Sequence, residues 1–235
     1  MILIEHPKCV DCKVRSESIF CELNKVEVEL LNSEKKCFSY KKGESIFREG
    51  YYPRGLYCVH AGKAKVTQMG VDGKEQIVHL AKNSDVMGYR AILSGDKYSC
   101  SAVAIEDSLL CFIPKDTFFS LVEKNSKLAF QVINLFSKEL KEAENKITNT
   151  AQRPVKERVA QCLLLLKDRY GFKQDGCTIN VIITREEIAN ISGTTRETAT
   201  RVLFGLKENQ VIDLSGKKIK ILQHKALLKI ANVFD

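Results

Sequence analysis

Between Pro114 and Pro154 the chain contains neither glycine nor proline. A run that long without a breaker reads as helix, and its apolar residues say which kind. Ala129, Ile133, Phe136, Leu140, Ala143 and Ile147 recur at steps of 4, 3, 4, 3 and 4. That is the narrow two-position seam of a coiled coil. Lys138, Glu139, Lys141, Glu142, Glu144 and Lys146 lie between the seam positions. A helix packed on its own domain would explain some of this, but a narrow stripe with charged flanks calls for a partner helix. The simplest partner is the same helix of a second copy, so a homodimer is expected.

The segments on either side obey different rules. Residues 38–114 carry short apolar runs broken by Lys42-Gly43, Glu49-Gly50, Ala61-Gly62, Asp72-Gly73 and Ser94-Gly95. Residues 62–67 and 76–80 alternate, with Asp72-Gly73 between them as a hairpin signal. Many short strands at close spacing indicate a small β-barrel or roll. Residues 154–235 read as a helix over Val155–Tyr170, a strand over residues 179–183, two short helices, and a hairpin over residues 211–222. The expected organisation is a cysteine-containing segment at 1–24, a sensory β-roll at 25–115, a dimerisation helix at 116–150 and a further domain at 151–235.

Two helix starts stand ten residues apart. Thr184-Arg185-Glu186-Glu187 and Thr194-Thr195-Arg196-Glu197 each have capping-box spacing. Ala189 and Gly193 between them allow close helix contact and a left-handed turn, which is the layout of a helix-turn-helix. The hairpin that follows would be a wing. On the second helix Val202, Leu203 and Leu206 can face a core, leaving Arg196, Glu197, Thr200 and Arg201 near the N-terminal end to read bases. Arginine can bond guanine O6 and N7, and glutamate can accept from cytosine N4. Thr195, Thr198, Lys217 and Lys218 are candidates for phosphate contacts.

Charge agrees with that placement. Of a net +8, residues 151–235 hold 15 Lys and Arg against 9 Asp and Glu, a balance of +6. A basic C-terminal segment suits double-stranded DNA as partner. The longest apolar run is far short of the ~20 residues that span a bilayer, and an acid and a proline stand too early for a signal peptide, so a cytoplasmic protein without membrane contact is expected. Nine cysteines, an odd number in a chain this long, argue against a full disulfide framework. Cys9-Val10-Asp11-Cys12 has the spacing of thiol oxidoreductases but lacks their βαβ context, and no other nucleophile–base arrangement appears, so no enzyme is expected.

Several segments, in order and spacing, resemble the bacterial CRP/FNR transcription regulators over essentially the whole length. They are Lys41-Lys42-Gly43-Glu44-Ser45-Ile46-Phe47-Arg48-Glu49-Gly50, Ser84-Asp85-Val86-Met87-Gly88-Tyr89, Ser108-Leu109-Leu110-Cys111-Phe112-Ile113-Pro114, Thr184 to Ala189, and Arg196 to Arg201. The resemblance implies an α+β protein. Its parts would be a cyclic-nucleotide-binding-like β-roll (a jelly roll), a long dimerisation helix and a C-terminal winged helix-turn-helix. It also implies a homodimer on a palindromic site that contacts RNA polymerase. Arg196, Glu197 and Arg201 match the base-reading residues of cyclic-AMP-responsive members, whereas Thr200 is closer to the serine of FNR-type members.

The resemblance leaves the sensed signal open, and one reading is a metal-free response to a small molecule other than cyclic AMP. Cyclic-AMP-binding members carry Gly-Glu and Arg-Ser pairs for the ribose and phosphate. Here the matching effector-pocket positions read Gly88-Tyr89 and Tyr98-Ser99, with Arg90 the nearby cation. A buried phosphate without its cation is costly, which disfavours cyclic AMP. FNR-type members hold an oxygen-labile [4Fe–4S] cluster on three N-terminal cysteines and one in the roll. Cys9, Cys12, Cys21 and Cys111 resemble that set, with a longer second gap. Four thiolates equally suit zinc, His6 is a fifth donor, and thiol redox chemistry or plain apolar burial are further readings. Cys37, Cys58, Cys100, Cys162 and Cys177 have no motif spacing and are read as core or surface thiols. FNR-type members carry an acid in the dimer helix where this chain has Ala143, so the dimer is expected to persist without any cluster.

Overall fold

The structure, a computed structural model, describes residues 2–4 and 7–233. The chain divides into two compact units, residues 1–74 with 78–141, and residues 75–77 with 142–235. In chain order the first unit begins with β1 (Ile2–Ile4), α1 (Lys13–Ser16), α2 (Lys25–Glu34), β2 (Lys36–Tyr40), β3 (Ser45–Phe47), β4 (Gly55–Ala61) and β5 (Ala64–Met69). The chain continues through β6 (Glu75–Ala81), β7 (Val86–Met87), α3 (Tyr89–Ser94), β8 (Ser101–Ala104), β9 (Ser108–Pro114), α4 (Lys115–Lys124) and α5 (Ser126–Gln152), with residues 75–77 of β6 and 142–152 of α5 belonging to the second unit. The second unit adds α6 (Val155–Tyr170), α7 (Arg185–Ser192), α8 (Arg196–Glu208), β10 (Ile212–Ser215), β11 (Lys218–Ile221) and α9 (His224–Ile230).

The expected roll is two sheets, one of five strands in the order β1-β2-β9-β4-β7 and one of four in the order β3-β8-β5-β6. Side chains alternate across a strand, and here the alternation separates two cores. Tyr40, Val59 and Leu110 point into the roll with Phe47, Val66, Met87 and Tyr98. Their neighbours Cys37, Leu56, Cys58, Cys111 and Ile113 point the other way, against Phe20, Leu31, Phe118, Leu121 and Leu128 of the covering helices. The outer face of the five-stranded sheet is therefore buried too. The capping box of Asn24 and Glu27 starts the covering helix α2.

The breaker-free stretch is two helices rather than one. Asn125 has extended backbone, and its Oδ1 accepts from Leu128 N at 3.0 Å to start α5. Its Nδ2 donates to Glu27 Oε2 at 2.7 Å. Within α5, Leu128 and Val132 are buried in the first unit's core, whereas Ile133, Phe136, Leu140 and Ile147 remain 37–69% exposed. Ala129 is half-buried and Ala143 exposed. Apart from Phe136, whose ring meets Tyr89, the larger apolar residues of the seam are thus left uncovered by the chain's own core.

In the second unit Val159, Leu163 and Leu166 of α6 join Ile188, Leu203, Leu206, Ile212, Ile219 and Leu227 as buried residues. Two expectations need correction. Residues 179–183 do not form a strand: only Thr178 and Ile179 make isolated bridges, to Lys220 and Phe172. Ile179, Val181 and Ile183 are buried as alternation required, but no partner strand runs alongside them. The second capping box is also absent. Thr195, not Thr194, caps α8, accepting from Thr198 N, so Glu197 falls at the wrong position to reach back. Helix α9 was not anticipated.

Candidate nucleic-acid interface and sensory site

Thr184 caps α7 with its hydroxyl accepting from Glu187 N at 3.1 Å, while Glu187 Oε2 accepts from Thr184 N at 2.8 Å. Gly193 ends α7 in the left-handed region at φ 63°, a conformation that favours glycine. Arg158 of α6 holds this turn, donating to Ser192 O at 2.9 Å and Gly193 O at 3.0 Å. The chain then enters α8. Ala199, Leu203 and Leu206 are buried and Val202 half-buried. Arg196, Glu197 and Arg201 are exposed on the remaining face. Among the described residues no hydrogen bond or ion pair engages these three side chains, so Arg196 and Glu197 do not form the surface ion pair that would have been the bland reading. Thr200 Oγ1 donates back to Arg196 O at 2.7 Å, leaving its acceptor sites open.

The wing pairs Ile212 with Ile221 and Ser215 with Lys218, so Gly216 and Lys217 form its tip. Lys217 and Lys218 are exposed. Side chains of both helices fix the wing. Arg185 of α7 donates to Gly216 O at 3.3 Å, and Lys207 of α8 pairs with Asp213 at 3.2 Å. The hydroxyls of Thr195 and Thr198 lie 3.1 Å apart at the start of α8.

In the first unit a cavity of about 30 Å³ lies between the outer sheet face and the N-terminal segment. Its wall includes Cys9, Cys12, Cys58 and Cys111, with Lys35 and His60. Arg15 shapes the covering segment by donating to Cys9 O at 2.9 Å and Phe20 O at 3.0 Å. Cys12 Sγ lies 3.6 Å from His60 Nδ1. Lys35 is buried, and its ammonium donates to Pro7 O. Burial pushes the Cys9 thiol up, partly offset by Lys35. Burial, reinforced by the neighbouring Cys12 and Asp85, pushes Cys58 up to about 12. Cys37 and Cys111 touch, Sγ to Sγ 2.9 Å. Their contact lowers the Cys37 thiol and, with burial, raises that of Cys111.

The effector-pocket positions behave differently. Gly88 adopts φ 84° beneath Tyr98, whose ring would stand 3.3 Å from any added Cβ. Tyr98 stacks on Phe47 at 4.3 Å between centroids and donates to Gly55 O at 3.2 Å. Tyr89 is buried edge-on to Phe136, with centroids 5.2 Å apart. Arg90 is bound to Glu139 of α5 at 2.8 Å, and Ser99 is exposed. Aromatic rings pack around Gly88, and Arg90 already has a carboxylate.

Residues 37–125 match the family model of a cyclic nucleotide-binding domain, and residues 157–230 that of a Crp-like helix-turn-helix domain. The fumarate and nitrate reduction regulatory protein of Vibrio cholerae is 32% identical over 230 residues, which cover 96% of this chain and 90% of that one. The chain belongs to the CRP/FNR family of transcription regulators. The anaerobic regulatory protein of Pasteurella multocida is 29% identical, covering 95% of this chain and 82% of that one. The FixK2 structure from Bradyrhizobium japonicum shares the fold, with a TM-score of 0.76 at 24% identity over 86% of this chain and 99% of that one. As a CRP/FNR regulator the chain is a DNA-binding protein, and its homologues are not enzymes. No helix among the described residues is long and apolar enough to cross a membrane.

Within this CRP/FNR chain the cysteine set expected from the sequence is only partly gathered. Cys9, Cys12 and Cys111 share the cavity wall. Cys21 lies in a short 3-10 turn over Ile19–Glu22 and is not part of that wall. Cys58 takes a place there instead, and Cys37 stands behind Cys111. Strand register explains both, since Cys37 and Cys58 each pair with Cys111 from opposite sides. No spacing motif could reveal that row. Alternation within three separately assigned strands could have. His6 lies outside the described residues.

Proposed function

We propose that the chain acts as a cytoplasmic homodimer on a palindromic DNA site, contacts RNA polymerase, and has its DNA affinity set by a redox signal at the N-terminal cavity. The observation that carries this reading is the exposed, unengaged row of Arg196, Glu197 and Arg201 at the start of α8, beside a lysine-tipped wing. Arg196, Glu197, Thr200 and Arg201 read bases, while Thr195, Thr198, Lys217 and Lys218 position the backbone. The exposed seam from Ala129 to Ile147 supports the dimer. The aromatic packing around Gly88, Tyr89, Tyr98 and Ser99, with Arg90 held by Glu139, weighs against a cyclic nucleotide as effector.

A [4Fe–4S] cluster takes four thiolates and supplies one-electron and oxygen-labile chemistry. The soft donors of Cys9, Cys12 and Cys111 suit it, but the arrangement does not fit as it stands. The cavity holds about one small molecule, and Cys21 is off its wall. Among the described residues no three His, Cys, Asp or Glu side chains are grouped to share a metal ion. A thiol-based sensor at the same cysteines, which needs no grouped metal donors, is the second reading.

Salt-dependent gel shifts on a palindromic TGTGA-like probe and on random DNA test the DNA reading. Equal affinity for both would overturn it. Iron, zinc and sulfide analysis of anaerobically purified protein, with visible spectra before and after air, separates the sensors. A colourless, iron-free sample after attempted reconstitution would exclude the cluster.

A further inference from the structure

Cys37, Cys111 and Cys58 stand side by side on β2, β9 and β4 and face the same side of the sheet. Directly opposed residues on antiparallel strands have Cα atoms roughly 4.5–5.5 Å apart. That spacing lies within the range of roughly 4.4–6.8 Å a disulfide bridges. Both neighbours of Cys111 satisfy it, but the sulfur contact singles out Cys37. Cys111 also lines the cavity, so the pair has one member open to a small reagent and one directly behind it.

We propose that Cys37 and Cys111 are a modification site, forming a reversible cross-strand disulfide when a peroxide enters the cavity. The peroxide transfers one oxygen to Cys111 Sγ, giving a sulfenic acid and water. Cys37 Sγ then attacks Cys111 Sγ, the S–OH bond breaks, and the hydroxide leaves as a second water with the Cys37 proton. Two thiols are oxidised by two electrons and one peroxide is reduced to two waters. Reduction by a dithiol restores both thiols. A cavity of about 30 Å³ admits a reagent of two heavy atoms. The oxidised state withdraws Cys111 from any set of metal ligands, so disulfide and metal ligation by Cys111 exclude one another. This deepens the reading of the cavity as the redox-responsive site and rests on it.

The test uses the full chain, purified metal-free and reduced, then treated with hydrogen peroxide, alkylated and digested. The expected result is one linked peptide joining Cys37 to Cys111, two hydrogens lighter than its parts and lost on dithiothreitol treatment. Cys37→Ser and Cys37→Ala should both abolish it, with circular dichroism showing that at least one variant keeps the fold, and Cys58→Ser should leave it in place. A link joining Cys58 to Cys111 or Cys9 to Cys12, or full alkylation of Cys37 and Cys111 after peroxide, would overturn the proposal. Peptide mapping requires no DNA. A mapped link that leaves DNA affinity unchanged therefore supports the site and counts only against the control reading.

Discussion

Arg158 and Gly193 are joined by a 3.0 Å hydrogen bond from the guanidinium of α6 to the carbonyl at the helix-turn-helix turn. The same guanidinium also donates to Thr150 O and Arg153 O, each at 3.0 Å. One side chain therefore satisfies carbonyls at the ends of two helices. Arg158→Ala should leave them unpaired and destabilise the protein by about 1–3 kcal/mol. Urea denaturation measures this. A loss below a few tenths would mean water replaces the guanidinium without cost.

Gly193 at φ 63° leaves space for a methyl group, since the nearest atom, Thr150 Cγ2, is 3.5 Å from an added Cβ. The cost of Gly193→Ala is thus conformational, about 1–2 kcal/mol. Thermal unfolding should show that loss, with DNA affinity falling only near the lowered melting temperature.

Arg196→Ala should cost about 1–3 kcal/mol on the cognate site and little on random DNA. Lys217→Ala should weaken both alike and reduce the salt slope by about 1. Fluorescence anisotropy at several salt concentrations separates the two. Identical behaviour of the variants would remove Arg196 from base reading.

Leu140 is 63% exposed on the seam. Leu140→Glu should set like charges across the dimer and yield monomers, whereas the unaltered protein should sediment as a dimer at micromolar concentration without metal. Monomers in the unaltered protein would refute the role assigned to Ala143.

Asp175 accepts from Thr178 Oγ1 at 2.5 Å, Thr178 N at 2.8 Å and Cys177 N at 3.2 Å. These bonds, the Thr178 hydroxyl foremost, hold its carboxyl below the usual range. A carboxylate with a depressed folded pKa adds stability above its unfolded value of about 3.9 and loses it as pH falls through the lower folded one. The stability gap between the unaltered protein and Asp175→Asn should be full at pH 7 and shrink in acid. Urea midpoints across that range provide the check.

Local signals carried most of this architecture. The Thr184 capping box, the strands at residues 64–69 and 75–81 and the helical periodicity of residues 129–147 are each set by neighbours in sequence. Apart from a one-residue shift of the α8 cap, what escaped reading depended on partners distant in sequence. Thr195 rather than Thr194 caps α8 because Gly193 fixes where the turn ends. Ile179 and Val181 alternate like a strand but meet no continuous neighbour. Cys37 and Cys58 looked isolated because the residue between them in space, Cys111, comes more than fifty positions later.

The Arg90–Glu139 ion pair joins α3, which begins directly after Gly88, to the residue just before Leu140 in the seam. With Arg90 57% exposed, such a pair adds at most about 1 kcal/mol, so it is an easily released latch more than a brace. A shift of α3 by a few ångströms would unfasten it, while Leu128 and Val132 keep the start of α5 anchored in the core. In the proposed dimer, a movement beside Gly88 would then reach the residues that flank the seam by way of Glu139.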